Sequence, residues 1–182
     1  MHPQAEELLD FWFSDDVKAH WYRSSEEFDT QLRNRYSTLV QAARAGELTA
    51  WAETPREALA LLIALDQLPR NIHRGGAEAF ASDDEALAVA RGAVDAGFDQ
   101  QLEAERRIFF YLPFMHSEEL DDQQRCVELC EAMGNPENLK FARLHRDLIA
   151  RFGRFPHRNR LLGRESSDEE LAYLASDGAF RG

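Results

Sequence analysis

The chain has 182 residues, 44% of them apolar and 30% charged, with a formal net charge of −12. That length suits one domain, residues 1–182, with a real hydrophobic core, and the balance excludes a disordered or membrane-embedded chain. The excess of negative charge repels nucleic acid and anionic membrane surfaces at long range, so an anion-binding role would need a local concentration of positive charge.

The opening stretch, MHPQAEELLDFWF, has no basic segment before its apolar residues and no small-residue cleavage pattern, so it does not read as an export signal and the expected location is cytoplasmic. The first helix is expected over 4–13, with the FWF cluster at 11–13 packed inward. A second, over 25–45, carries the stripe Phe28, Leu32, Tyr36 and Leu39, capped by Ser24 or Ser25 and stopped by Gly46. Thr54-Pro55-Arg56-Glu57 places a cap, a first-turn proline and an N3 carboxylate in register for a third. That helix is apolar nearly all round, so it is expected at the centre. Its run Ala58 to Leu65 has eight residues, far short of a membrane span, and Pro69 is expected to end it.

The segment PRNIHRGG then reads as a loop, and Ser82-Asp83-Asp84-Glu85 opens a helix running to about Gly97. Further helices are expected over 99–112, 117–133, 136–152 and 167–175, the last with a capping box from Ser167 and Glu170. The total is about eight helices and no strand, packed as antiparallel pairs in a compact bundle or short solenoid, an all-α fold. Cys126 and Cys130 sit one turn apart in an apolar helical pattern and read as buried thiols; no metal-site spacing occurs, and no metal or cofactor is expected.

The stretch RFGRFPHRNRLLGR at 151–164 holds five arginines, one histidine and no acid; the rest of the chain then has 16 basic against 33 acidic residues, or −17. Arg151, Arg154, Arg158 and Arg164, with Arg70 and Arg74, are forked donors suited to carboxylates or phosphates. Helical phase places Asp66, Glu105 and His145 on inward faces, and LPRNIHRG at 68–75 echoes FPHRNRLLGR at 155–164. Three readings follow. In the first, the two loops converge on a pocket for a small anion or an acidic peptide terminus, with Arg70, Arg74, Arg154 and Arg158 as clamps, and His116, His145 and His157 positioning the ligand. In the second, a hydrolase-like enzyme uses His145 as a base oriented by Asp66 or Glu105. In the third, internal pairing consumes the arginines in a structural or protein-interaction scaffold. Ser117 is explained as an N-cap rather than a nucleophile, and nucleic acid is disfavoured because the basic residues cluster in loops amid acidic helices. The oligomeric state stays open.

FWF at 11–13, ALLIALDQLPRNIHRG at 60–75, AF at 79–80, FFYLPFMHSE at 109–118 and HRDLIARFGRFPHRNRLLGR at 145–164 together resemble the bacterial domain-of-unknown-function family 924. Typical members carry phenylalanine where this chain has Leu68. The resemblance implies an all-helical, tetratricopeptide-like fold and supplies no activity or site assignment.

Overall fold

Proline and polar caps set the helix starts, and left-handed glycines set several ends. A computed structural model describes residues 1–182 apart from Tyr22, Ser24 and Gly182. The described residues form ten α-helical segments and no strand: α1 (Pro3–Trp12), α2 (Asp15–Lys18), α3 (Glu26–Arg44), α4 (Pro55–Leu62), α5 (Leu68–Ile72), α6 (Asp83–Asp95), α7 (Ala104–His116), α8 (Leu120–Met133), α9 (Pro136–Phe152) and α10 (Asp168–Leu174). A π turn over Ile63–Gln67 joins α4 to α5, so the two are one rod, and the helix beyond the expected set is the short α2. Contacts divide the chain into two compact units, Met1–Pro113 and Phe114–Gly182, the division falling within α7.

In the first unit, α1 buries Ala5, Leu8, Leu9 and Trp12, a stripe at helical spacing. Phe13 and Trp21 meet Phe109 edge to face at 5.4 and 4.9 Å. Ser25 accepts the Phe28 N–H at the start of α3; the alternative cap, Ser24, lies outside the described residues. The α3 stripe is buried as expected, from Phe28 through Tyr36 to Ala43. Thr54 does not cap α4 with its side chain; its hydroxyl donates to Glu57 at 2.8 Å.

Pro69 does not end the central helix. A proline ring inside an α-helix collides with the carbonyl four residues back and removes one hydrogen bond. The π turn widens the helix there, with the Leu68 N–H reaching back to Ile63 O. The carbonyls near the proline find other donors: the Ser82 hydroxyl on Leu65 at 2.7 Å, Arg70 on Asp66 at 2.9 Å, and Asn71 on Gln67 at 3.1 Å. Ser82, expected as a cap for α6, is turned to this task and makes no side-chain cap bond. Arg70 is accordingly helical rather than in a loop.

In the second unit, α7 passes Pro113 and reaches His116, beyond the expected end at 112. The buried amide of Gln123 lies beneath this turn and donates to the carbonyls of Phe114, Met115 and Ser117, the latter two at 2.7 Å. Helix α8 starts at Leu120 rather than 117, because Ser117 accepts the Glu119 N–H and donates to Asp122 instead of capping a first turn. Helices α8 and α9 form a hairpin through left-handed Gly134 and the Asn135 cap, and α9 ends at left-handed Gly153. The Ser167/Glu170 capping box of α10 is formed.

Ser82→Ala leaves the buried Leu65 carbonyl without its hydroxyl donor and should lower stability by about 1–2 kcal/mol. The readout is a shift in urea midpoint at constant m-value. An unchanged midpoint would show that the π turn does not depend on that bond.

Candidate functional site

The site residues expected in the first unit are engaged in ion pairs. Asp66 is buried at 1% exposure, its Oδ1 3.2 Å from Arg70 Nη1 and its Oδ2 accepting from Gln67 at 2.6 Å. Arg70 also makes a two-pronged contact with Asp83, at 2.8 and 3.0 Å, tying α5 to the start of α6. Arg74 grips Asp29 through Nε at 2.6 Å and Nη2 at 3.1 Å. It also lines a depression of about 370 Å³ with Ser25, Glu26, Asp29 and Arg33, where two acids face two guanidiniums. Glu105 does not point inward: it is exposed and pairs with Lys18 at 2.6 Å. It is the second residue of α7, and although Ile108 and Phe109, three and four residues on, are buried, the first turn of the helix leaves Glu105 outside.

In the second unit the basic stretch 151–164 has identifiable partners. Arg151 meets Glu169 at 2.9 Å. Arg154 forms a fork on Glu170, 2.7 and 2.8 Å, and donates to the Glu165 carbonyl. Arg164 forks on Glu118, 2.6 and 2.9 Å, while its Nε donates to Asn159 at 3.0 Å. Glu118 also accepts the Phe155 N–H at 2.8 Å. Arg158 is buried with its guanidinium 4.6 Å from the centre of the Phe155 ring. Hydrogen bonds from Arg154, aided by the Ser167 N–H, hold the Glu170 carboxyl down at about 2. Burial opposes the charge on Glu118, but Arg164 and the Phe155 N–H outweigh it and keep that carboxyl below its usual range.

These clamps fix the backbone from which the histidines project. His145 is 6% exposed and its Nδ1–H donates to the Phe141 carbonyl at 2.8 Å, one turn back on α9. The expectation that a carboxylate orients this ring is therefore corrected: a backbone carbonyl holds it, which leaves the lone pair on Nε2. Four rings close a cycle. His145 meets Phe155 at 5.5 Å and Phe180 at 4.6 Å, and His157 meets Phe155 at 5.6 Å and Phe180 at 5.2 Å. The Nδ1 of His157 is buried and makes no hydrogen bond. His116, at the end of α7, acts electrostatically on both other imidazoles. Burial first, and then the nearby cationic groups including Arg158, push His145 and His157 down to about 4, so both rings are neutral at pH 7.

Such a cage offers nitrogen donors and acceptors without permanent charge, set between phenyl faces. The sequence reading grouped His116, His145, His157 and Arg158, which lie near one another in this unit, but did not include Glu118 and Phe180. Glu118 was absorbed into a helix-start pattern; Phe180 is a lone aromatic in a polar tail, and that isolation was its signal. Cys126 and Cys130 are buried and form no disulfide. Among the described residues, no group of three or more His, Cys, Asp or Glu side chains could hold a metal ion, and no helix is long and apolar enough to cross a membrane.

The family model described as "Bacterial protein of unknown function (DUF924)" matches residues 8–178, so the chain belongs to that family. A solved structure of a protein of unknown function, ATU0120 from Agrobacterium tumefaciens, is 40% identical to it, with a TM-score of 0.90 over 94% of this chain and 97% of that one. No protein of curated function matches it.

In an NMR pH titration, His145 and His157 should stay neutral down to about pH 4. A midpoint near 6.5 for either ring would place it in water. Glu170 contributes stability that is complete above its unfolded value of 4.5 and is lost as pH falls toward about 2. The urea-midpoint gap between wild type and Glu170→Gln should therefore close as pH drops through that window. A gap independent of pH would mean that the Arg154 pair does not stabilise the charged form.

Proposed function

We propose that this member of the DUF924 family binds a small anionic ligand, or the acidic end of a peptide, at the cage formed by His145 and His157 with His116 and Arg158 alongside. The observation that carries the reading is the buried, unpartnered Nδ1 of His157. A buried polar atom without a partner costs about 1–3 kcal/mol, and a ligand oxygen placed against it as an acceptor would remove that cost. In this reading Arg70, Arg74 and Arg154 belong to the framework, since each already forks or pairs with a carboxylate. The ligand contact passes to His157, with Arg158, His145 and His116 lining the approach.

Binding suits the cage better than hydrolysis. A histidine base needs a partner that stabilises its protonated form, whereas His116 and Arg158 act on His145 to disfavour that form. A second reading, a tetratricopeptide-like protein-interaction scaffold, is favoured by the clamps themselves and by Phe141 and Leu144, exposed at 44% and 36% on α9. Either function fits a cytoplasmic protein whose two cysteines stay reduced.

An anion bound beside neutral imidazoles favours their protonated forms, so binding should take up protons and tighten as pH falls from 8 to 5. Calorimetry with acetate and with a short acidic peptide, in two buffers of different ionisation enthalpy, measures that uptake. His157→Phe, which keeps a ring in the cage, should weaken binding at least tenfold while circular dichroism stays native. Equal affinity in this variant would remove His157 from the site and the proposal with it.

A further inference from the structure

Phe180 occupies the cage. Its ring stands edge-on to His145 (4.6 Å, 64°) and to His157 (5.2 Å, 81°), and it packs against the small core of Leu148, Ile149 and Phe155 together with Phe152 and Tyr173. The arrangement is the one that aromatic rings prefer when the positive edge of one meets the face of another. Yet the segment that carries Phe180 is lightly held. Beyond α10 its hydrogen bonds include the Phe180 N–H to the Tyr173 hydroxyl at 2.8 Å, the Ser176 N–H and hydroxyl to Tyr173 O at 2.9 and 2.6 Å, the Ala179 N–H to Ser176 O at 3.3 Å, and Arg181 to that same carbonyl at 3.3 Å. Ala179 and Phe180 are only partly buried and Arg181 is exposed. Helix α10, by contrast, is fixed by its capping box and by the Arg154 fork on Glu170. The stretch around Phe180 is thus non-helical and only partly buried, the kind of terminal segment that opens locally before a unit unfolds.

Resting on the reading above, we infer that the ligand is an aromatic carboxylate whose ring takes the place of Phe180 and whose carboxylate reaches His157 Nδ1, so that the 175–181 segment is a displaceable occupant of its own binding site. Phe180 fills the ring position but brings no acceptor to His157, and this is why that nitrogen stays unsatisfied with the cage full. An inorganic anion would satisfy the nitrogen but leave the ring position empty. A guest carrying a ring and a carboxylate a bond or two apart does both. Arg158, stacked on Phe155 in the same wall, adds positive potential on the side where the carboxylate arrives.

The test uses phenylacetate and acetate as probes in calorimetry on the full chain. Phe180→Ala removes the competing ring and should raise phenylacetate affinity at least tenfold over wild type, with no comparable gain for acetate. Tyr173→Phe keeps every ring but deletes the hydroxyl that accepts the Phe180 N–H, and should give a smaller gain in the same direction; it remains informative if the alanine variant folds poorly. Adding His157→Phe to either should abolish the gain. If acetate binds but phenylacetate binds no better in either variant, the aromatic assignment is overturned while the anion reading survives. If neither probe binds any variant, both are overturned.

Discussion

A guanidinium withdrawn from water has to be met by a carboxylate or a set of carbonyls, and that requirement organises both units of this protein. Arg70 reaches Asp66 on its own rod and Asp83 on α6, Arg154 reaches Glu170, and Arg164 reaches Glu118, the last three pairs joining separate elements. Such pairs add little net stability over well-packed apolar residues, because desolvation offsets the attraction, but removing one partner strands a charge. Their effect is chiefly geometric. Arg164 on Glu118 and Glu118 on the Phe155 N–H fix the turn that holds Phe155, His157 and Arg158. The dense positive charge of 151–164 is thus mainly an internal framework, and the residues with chemistry to offer stand between its members.

The same carbonyl accounting explains the central helix. Pro69 cannot donate, and its ring excludes the normal bond to Leu65. The backbone widens into a π turn, and Ser82, Arg70 and Asn71 supply donors where the helix does not. Arg70 therefore does two jobs: one nitrogen serves a carbonyl of the π turn and an acid of α6, and the other completes the fork on that acid. A loop arginine exposed to solvent could not do this, which is why a helix through the proline and a buried ion pair occur together.

Local signals in the sequence were enough wherever a helix is set by its own residues. Asn135, Pro136 and Gly153 mark both ends of α9, Ser167 and Glu170 mark the start of α10, and the α3 stripe is plain in its spacing. What failed depended on partners far along the chain. The continuation past Pro69 needs Ser82, and the passage of α7 past Pro113 has the Gln123 amide beneath it. Glu105 was misplaced because Ile108 and Phe109 set an inward face that the first turn of α7, where Glu105 meets Lys18, does not bury. Of the site, the histidines were legible as inward-facing or loop residues, but Glu118 and Arg164 are 46 positions apart and no spacing rule connects them.

Keeping the caged imidazoles neutral makes physical sense for a site that waits for its charge. A permanently protonated histidine beside Arg158 would repel its neighbours and would have to be neutralised from within, as the arginines are. A neutral one packs edge-on against Phe155 and Phe180 at little electrostatic cost. The carboxylates nearest this cage support the same division of labour. Glu118 and Glu170 are held by arginines below their ordinary range and so are charged and engaged at neutral pH. In the proposed reading the negative group at the cage therefore belongs to the ligand, since these two carboxylates are already committed to arginines.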